Sequence, residues 1–418
     1  MNIIVIGLGS AGDVHPMVGL ALALRRRGHN VLLVGTAVFQ RLAERVGLEF
    51  VGLGSEEEYY RTIRDPDLWH PFRAFRLVAK KLILPSIRPV YELIAGRMER
   101  EPTLTVVTAP SLAFGARIAQ ERLAVPLATI HLQPSLLRSD VDPPCYGFPD
   151  ILGLLPGALR GFYWRMLDRV LIDRLLVQEV NAFRRELGLA PASRLFADWM
   201  HSPQCIIGLF PEWFAPLAPD WPPHVYLTNF PLWDEGDVRE PLAELAKFLD
   251  EGEPPVVFTG GSAMAQGKEF FRVSAEVCRV TGWRGLLLTQ FAEQLPAQLP
   301  AEVRHFDYIP FSAVLPRAAA FVHHGGIGTT AQAFAAGVPQ LVVPLAHDQP
   351  DQAVRVKRLG VGDYLRPKQY KTATLRQRLE RLMNSAEIKE NCQRRARDLV
   401  ERTALDRACE LVEGLAEV

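Results

Sequence analysis

The chain has 418 residues, of which 48% are hydrophobic and 22% charged. That composition excludes disordered and fibrous proteins, and the length suits two domains of roughly 200 residues each. Lys+Arg 47 balances Asp+Glu 47, so no surplus positive charge marks a dedicated nucleic-acid binder, and no nucleic acid is expected as a partner.

In chain order, residues 2–6 (NIIVI) form a β-branched run that predicts a buried strand. A glycine loop follows, and then PMVGLALALRRRG, in which Met17, Leu20, Ala21 and Leu24 recur at helical spacing. Proline suits a first helical turn, so a helix is expected from near Pro16 to Gly28. VLLVG (31–35) is a second buried-type strand. Strand, helix, strand in such a short stretch is a βαβ unit with parallel pairing and a right-handed crossover. The pattern recurs at TLTVVTA, the helix AFGARIAQERL and the strand VPLATIH.

Residues 151–200 read as helical, with a basic amphipathic stretch around LRGFYWRMLDRVLIDRLLVQEV, and CIIGLF is another strand. Residues 211–255, rich in Pro, Trp and acids, contain the expected linker. The alternation restarts with VVFTGGS, RGLLLTQ, RHFDYI, AFVHHGG and QLVVP, and a helical tail over about 386–416 closes the chain. The fold class is α/β: two tandem Rossmann-like doubly wound domains facing a ligand cleft, plus a C-terminal helical tail.

The five cysteines (Cys145, Cys205, Cys278, Cys392, Cys409) are scattered and form no CxxC pair. A disulfide framework or zinc site is therefore not expected, and a reducing compartment is. The opening MNIIVIG is already strand-like with no basic stretch before it, so no signal peptide is expected. No apolar run reaches the ~18 residues needed to cross a bilayer, and the expected location is the cytoplasm.

Two glycine loops carry candidate chemistry. The first, Gly7-Leu8-Gly9-Ser10-Ala11-Gly12, spells G-x-G-x-x-G. A late helix start at Pro16, and Gly35 and Thr36 in place of a ribose-binding acid, argue against a dinucleotide. Ser10, Asp13 and His15 stand before Pro16. Asp13 either takes a proton from a bound hydroxyl or caps the helix, and both readings stay open.

The second loop, FVHHGGIGTT (321–330), opens a helix. Gly325, Gly326 and Gly328 let backbone approach an anion, Thr329 and Thr330 add donors, and His324 can donate to a phosphate oxygen. It is a diphosphate cradle without a lysine. Further on, Asp348 and Gln349 pair an acceptor-only carboxylate with an amide, suited to vicinal hydroxyls.

These residues resemble the GT-B glycosyltransferases, in particular bacterial natural-product and sterol enzymes of the inverting UDP-glycosyltransferase family. HHGGIGTTAQAFAAGVPQLVVPLAHDQPDQA (323–353) is similar to the family's donor-binding signature, and GLGSAGDVHP (7–16) to the opening of the glycopeptide and sterol branch. The resemblance implies an N-terminal acceptor-binding domain over 1–228, a linker over 229–252 and a C-terminal nucleotide-sugar-binding domain over 253–418. The last helix would be free to pack back on the first domain.

It implies Asp13 as general base and His324 on the donor diphosphate, with Gly326, Gly328, Thr329 and Thr330 around the phosphates. Gly261 and Ser262 would also reach phosphate, and Tyr308 and Ile309 would meet the nucleobase, where many relatives carry tryptophan. Asp348 and Gln349 would bind sugar hydroxyls, while Ser10 and Gly12 would approach the donor from the other domain. Where many relatives use a histidine base oriented by an aspartate, this chain has Asp13, and the corresponding VVTAPSLAFG has no acid.

The implied reaction moves a hexose, with inversion, from a UDP-sugar in preference to a dTDP-sugar onto a hydroxyl of a small apolar aglycone such as a polyphenol, sterol or polyketide. Neither cofactor nor metal is expected. Asp140-Val141-Asp142 and Asp65-Pro66-Asp67 spell D-x-D but read as solvated loop acids. Trp69 and Phe72, in the aromatic segment 69–94, and His131 are candidates for the acceptor pocket. The same segment could instead pack in the core or rest a basic face on a membrane. A lipid-directed glycosyltransferase and a sugar-nucleotide epimerase are the alternatives. An oxidoreductase or an inert accessory binder fits the filled base, phosphate and sugar positions less well.

Overall fold

Ile3, Ile4, Val5 and Ile6 are each at most 1% exposed, as a parallel strand covered on both faces requires. They belong to β1 (Asn2–Gly7), followed along the chain by β2 (Asn30–Thr36), β3 (Glu49–Leu53), β4 (Thr105–Pro110), β5 (Leu127–His131), β6 (Cys205–Gly208) and β7 (Val225–Leu227). All pair in parallel in the order β3-β2-β1-β4-β5-β6-β7. The second sheet comprises β8 (Val256–Thr259), β9 (Gly285–Leu288), β10 (Val303–Phe306), β11 (Ala320–His323), β12 (Gln340–Val342) and β13 (Gly362–Tyr364). These also pair in parallel, in the order β10-β9-β8-β11-β12-β13.

The computed structural model describes every residue except Phe72, 101–104, Pro149, 240–242, 401–403 and Val418. It divides the chain into two compact units. One comprises Met1–Thr62, Phe72–Pro231 and Thr403–Val418; the other comprises Ile63–Pro71 and Leu232–Arg402.

Both sheets reverse strand order next to their first strand. In the first, β1 has β2 on one side and β4 on the other; in the second, β8 lies between β9 and β11. Open parallel sheets bind ligands beyond the carboxyl ends of strands at such reversals. The loops leaving β1, β8 and β11 at those points carry the two glycine-rich stretches.

Three features depart from the sequence reading. The first helix spans Ala11–Arg26, so it begins inside the glycine loop, and Pro16 lies within it. The expected linker over 229–252 is not a free tether: helix Ala243–Asp250 buries Leu245, Phe248 and Leu249 in the second unit's core. Residues Ile63–Pro71, expected in the first domain, pack in the second unit. The expected helical tail is present over Ala386–Val400 and Ala404–Gly414, and its last helix packs back on the first unit as the resemblance allows. The second of these packs on helix Ala11–Arg26, and Glu413 there accepts hydrogen bonds from Arg27 Nε and Nη2, each 2.7 Å, and pairs with His29 at 2.7 Å.

Candidate active site

In the first unit, the carboxyl end of β1 runs directly into a capped helix. Ser10 is the N-cap, in extended backbone. Its N–H donates to Asp13 Oδ2 at 2.8 Å and its hydroxyl to the same oxygen at 3.0 Å. This capping box holds an exposed carboxylate in one orientation at the strand end. The capping reading of Asp13 therefore holds, and it leaves the carboxylate exposed at the end of β1. The Ser10 hydroxyl is committed to Asp13.

Gly9 has φ +129°, and a Cβ there would run into the Asp13 carboxylate, so only glycine fits. Thr36 at the end of β2 clasps the turn: its hydroxyl accepts from Gly9 N–H at 3.1 Å and donates to Gly9 O at 3.0 Å. Thr36 thus takes a structural part where a dinucleotide fold would hold a ribose. Next to Asp13, the rings of His15, Phe39 and Tyr59 form an edge-to-face series at 6.2 and 6.4 Å. Burial, with a smaller contribution from the charge of Asp13, pushes the Tyr59 phenol up and keeps it protonated.

The acceptor-pocket expectations change. His131 is 2% exposed at the end of β5, its Nε2 3.2 Å from Nδ1 of buried His201. Burial holds His131 well below the ordinary histidine value and brings His201 down to about 4, so both rings are neutral near pH 7 and one N–H bridges them. The His131 ring is buried and paired with His201. Trp69 belongs to the second unit, where its ring meets His347 edge-on at 5.7 Å and His347 Nε2 bonds Leu68 O at 2.9 Å. Phe72 lies outside the described residues. The apolar positions Ile83, Ile87, Val90 and Ile94 of the 69–94 segment point into the first unit's core, so packing accounts for them.

In the second unit the loops after β8 and β11 lie side by side, because those strands pair. Gly261 has φ +92°, and a Cβ built on it would stand 2.6 Å from His324 Cε1; a Cβ on Gly326 would stand 2.5 Å from His324 Nε2. The imidazole is wedged between two bare backbones. Burial brings it down to about 4, so it is neutral. Its Nδ1 is buried and has no hydrogen-bond partner. Buried polar atoms are nearly always satisfied, so the orphan makes this Nδ1 a candidate contact for a ligand atom.

Helix Ile327–Ala336 starts here with Gly326 as N-cap. The first main-chain donor to turn back into the helix is Thr330 N–H, to Gly326 O at 2.9 Å. The amides of Gly326, Ile327, Gly328 and Thr329 precede it and have no intrahelical acceptor, and the dipole adds positive potential. Nothing lies within 4 Å of where a Gly328 side chain would be, leaving room for an anion. Thr330, expected around the phosphates, is instead fully buried and its hydroxyl donates to Gly326 O at 3.0 Å. It shapes the cradle from behind.

His323, which the sequence reading did not single out, also shapes it. Its Nδ1 accepts from Gly325 N–H at 3.1 Å, which leaves the proton on Nε2 for Gln340 Oε1 at 3.0 Å. Burial drives its value down to about 3, so this tautomer persists. Gly325, at φ +95°, could not carry a side chain against Val342.

Around the cradle, Ser262 is exposed. Asp348 is the N-cap of helix Gln349–Arg358, and burial raises its carboxyl to about 6. Gln349 Oε1 accepts from Leu345 N–H at 2.8 Å and Ala346 N–H at 3.3 Å, so its amide N–H groups are what it can offer a hydroxyl. The Tyr308 hydroxyl donates to Asp234 O at 2.9 Å, and the Arg239 guanidinium covers its ring at 4.2 Å. Ile309 is 3% exposed, its side chain in the core, so only its main chain could meet a base. Asp65 caps its own turn through Asp67 N–H at 2.9 Å. Among the described residues no group of three or more His, Cys, Asp or Glu could hold a metal ion.

Two parallel α/β sheets, each with a glycine loop at its strand-order reversal, define the fold of a GT-B glycosyltransferase. The glycosyltransferase family 28 N-terminal domain matches residues 3–139, and the erythromycin biosynthesis protein CIII-like C-terminal domain matches 285–416. The chain is 31% identical over 427 residues to O-mycaminosyltylonolide 6-deoxyallosyltransferase of Streptomyces fradiae, covering 100% of this chain and 98% of that protein. It is 31% identical over 367 residues to glycosyltransferase GtfC of Amycolatopsis orientalis, covering 87% and 85%. Its fold matches that of glycosyltransferase VinC, crystallised with dTDP, at TM-score 0.69 and 20% identity over 100% of both chains. The chain belongs to the UDP-glycosyltransferase family, among the natural-product glycosyltransferases. No described helix is long and apolar enough to cross a membrane.

Proposed function

We propose that the enzyme transfers a hexose from a pyrimidine nucleoside diphosphate sugar to a hydroxyl of a small apolar acceptor, with inversion and without a metal. The observation that carries this is the orphaned Nδ1 of His324, held between Gly261 and Gly326 at the start of helix Ile327–Ala336. VinC was crystallised with dTDP, which makes thymine as apt a nucleobase as uracil.

In this reading the diphosphate takes the four unpaired amides, the His324 ring and the Ser262 hydroxyl, while Asp348 and the Gln349 amide receive sugar hydroxyls. Asp13 removes the proton from the acceptor oxygen as that oxygen attacks the anomeric carbon. The carbon–oxygen bond to the diphosphate breaks in the same displacement, which inverts the centre. Negative charge grows on the leaving diphosphate, and donors already aimed at such charge supply roughly 3–4 kcal/mol each in well-studied enzymes. A general base typically adds about 10²–10⁴-fold.

The test is a panel of UDP- and dTDP-sugars against a mixed set of aglycones, read by mass, with calorimetric titration of each nucleotide sugar on wild-type and His324→Ala protein. Glycosylated product and at least about tenfold weaker donor binding in the variant support the reading. Equal affinity in both proteins removes the cradle from it.

A further inference from the structure

Helix Gly157–Leu167 and its wider-wound continuation Asp168–Val177 turn Trp164, Asp168, Ile172 and Leu176 inward. Asp168 is ion-paired to Arg138 at 2.7 Å. A surface helix is normally polar on the opposite side. Here Leu159 (50% exposed), Phe162 (56%), Met166 and Val170 stand in solvent on that side, preceded by Leu154 at 80%. Spacings of three and four residues make 159, 162, 166 and 170 one stripe along the helix. Single exposed apolar side chains need no explanation, but a continuous stripe marks a surface that something covers.

The charges beside the stripe indicate what covers it. Arg165 and Arg169 are exposed on the flank next to Phe162, and the one acid in the sequence 151–170, Asp168, is buried. A second copy of the chain is a poor occupant. A twofold contact sets a patch against itself, here arginines facing arginines with no exposed acid within residues 151–170 to answer them. A phospholipid surface fits both features, since apolar side chains enter the acyl boundary while guanidinium groups meet headgroup phosphates.

We infer that the stripe Leu154–Val170 docks the enzyme peripherally on an anionic phospholipid surface. The helix lies in the plane of the interface and does not cross it, in keeping with the absence of any spanning helix among the described residues. Of the readings open for 69–94 in the sequence, the buried apolar side chains of that segment favour core packing over a membrane face.

Co-sedimentation of the full chain with phosphatidylglycerol or phosphatidylcholine vesicles tests this. Wild-type protein is expected to sediment with phosphatidylglycerol, and partitioning is expected to fall at least about tenfold in the Phe162→Asp/Met166→Asp variant. Arg165→Glu/Arg169→Glu should lose the preference for phosphatidylglycerol and its sensitivity to salt. All four side chains are exposed, and an unchanged thermal midpoint confirms folding. Wild-type protein that stays in the supernatant with phosphatidylglycerol, or variants that sediment as wild type does, overturns the inference. So does a dimer in light scattering that Phe162→Asp/Met166→Asp makes monomeric, because the stripe then belongs to a second copy.

Discussion

The His324 imidazole occupies the space a side chain on Gly261 would need, with Cε1 2.6 Å from the position of a built Cβ. Gly261→Ala is therefore expected to displace the ring and to strain a backbone held at φ +92°, at a cost of about 1–3 kcal/mol. Donor affinity, measured by calorimetry, should fall along with the thermal midpoint. An alanine variant that binds the nucleotide sugar as tightly as wild type would show that the ring's position is unimportant.

Asp13 and Ser10 should separate chemistry from positioning. Asp13→Asn keeps an oxygen for the cap but cannot take a proton, so turnover is expected to drop about 10²–10⁴-fold with donor affinity unchanged. Ser10→Ala keeps the main-chain donor at 2.8 Å and loses the hydroxyl at 3.0 Å. Loss of that cap contact should cost about 1 kcal/mol of stability and reduce kcat more than it changes KM for the donor. Full activity in Asp13→Asn would exclude the carboxylate as base.

Thr330 and Thr329 are neighbours with different prospects. The Thr330 hydroxyl is spent on Gly326 O, so Thr330→Val should destabilise the protein by about 1 kcal/mol, seen as a lower urea midpoint. Thr329 is partly exposed, and Thr329→Val should leave the midpoint near wild type. A Thr330→Val protein of wild-type stability would mean that the bond to Gly326 O contributes nothing.

What could be read from the sequence follows burial and sequence distance. Central strands such as β1 and β11 are buried on both faces and stand out as apolar runs. Three of the four edge strands, β3 (EFVGL), β7 (VYL) and β13 (GDY), are short or half-exposed and leave no such signature. The glycine loops were legible because their conformations demand glycine locally. Contacts set by strand register were not: Thr36 reaches Gly9 across 27 positions, and His201 meets His131 across 70. The helix starts at Ala11 because Ser10 with Asp13 is the operative cap, while Pro16, suited to a first turn, lies a turn further in.

The buried His131–His201 pair ties stability to pH. Unfolded histidine takes a proton near 6.5, while His201 in the fold waits until about 4 and His131 is held down as well. Between these values the unfolded chain binds more protons, so stability falls as pH drops from about 6.5 toward 4. His201 contributes about 1.4 kcal/mol per pH unit across that window, and His131 acts in the same direction. Urea midpoints should show this slope, reduced in His201→Gln. An identical slope in the variant would place the acid sensitivity elsewhere.

Asp348 predicts a separate pH effect, on donor binding. Burial raises its carboxyl to about 6, with the nearby Asp351 adding a smaller push upward. Below that value the group is protonated and has lost much of its capacity to accept hydrogen bonds from sugar hydroxyls. A donor that needs the ionised form releases a proton on binding, so affinity should rise with pH through about 6 and then level off. The difference between pH 5 and pH 7 should be about tenfold. His324, titrating at about 4, stays neutral throughout this range and does not contribute. Asp348→Asn should bind more weakly at pH 7 with little variation between pH 5 and 7, as measured with an intact nucleotide sugar whose phosphates do not titrate there. A variant that keeps the wild-type pH profile would mean that another group senses the proton.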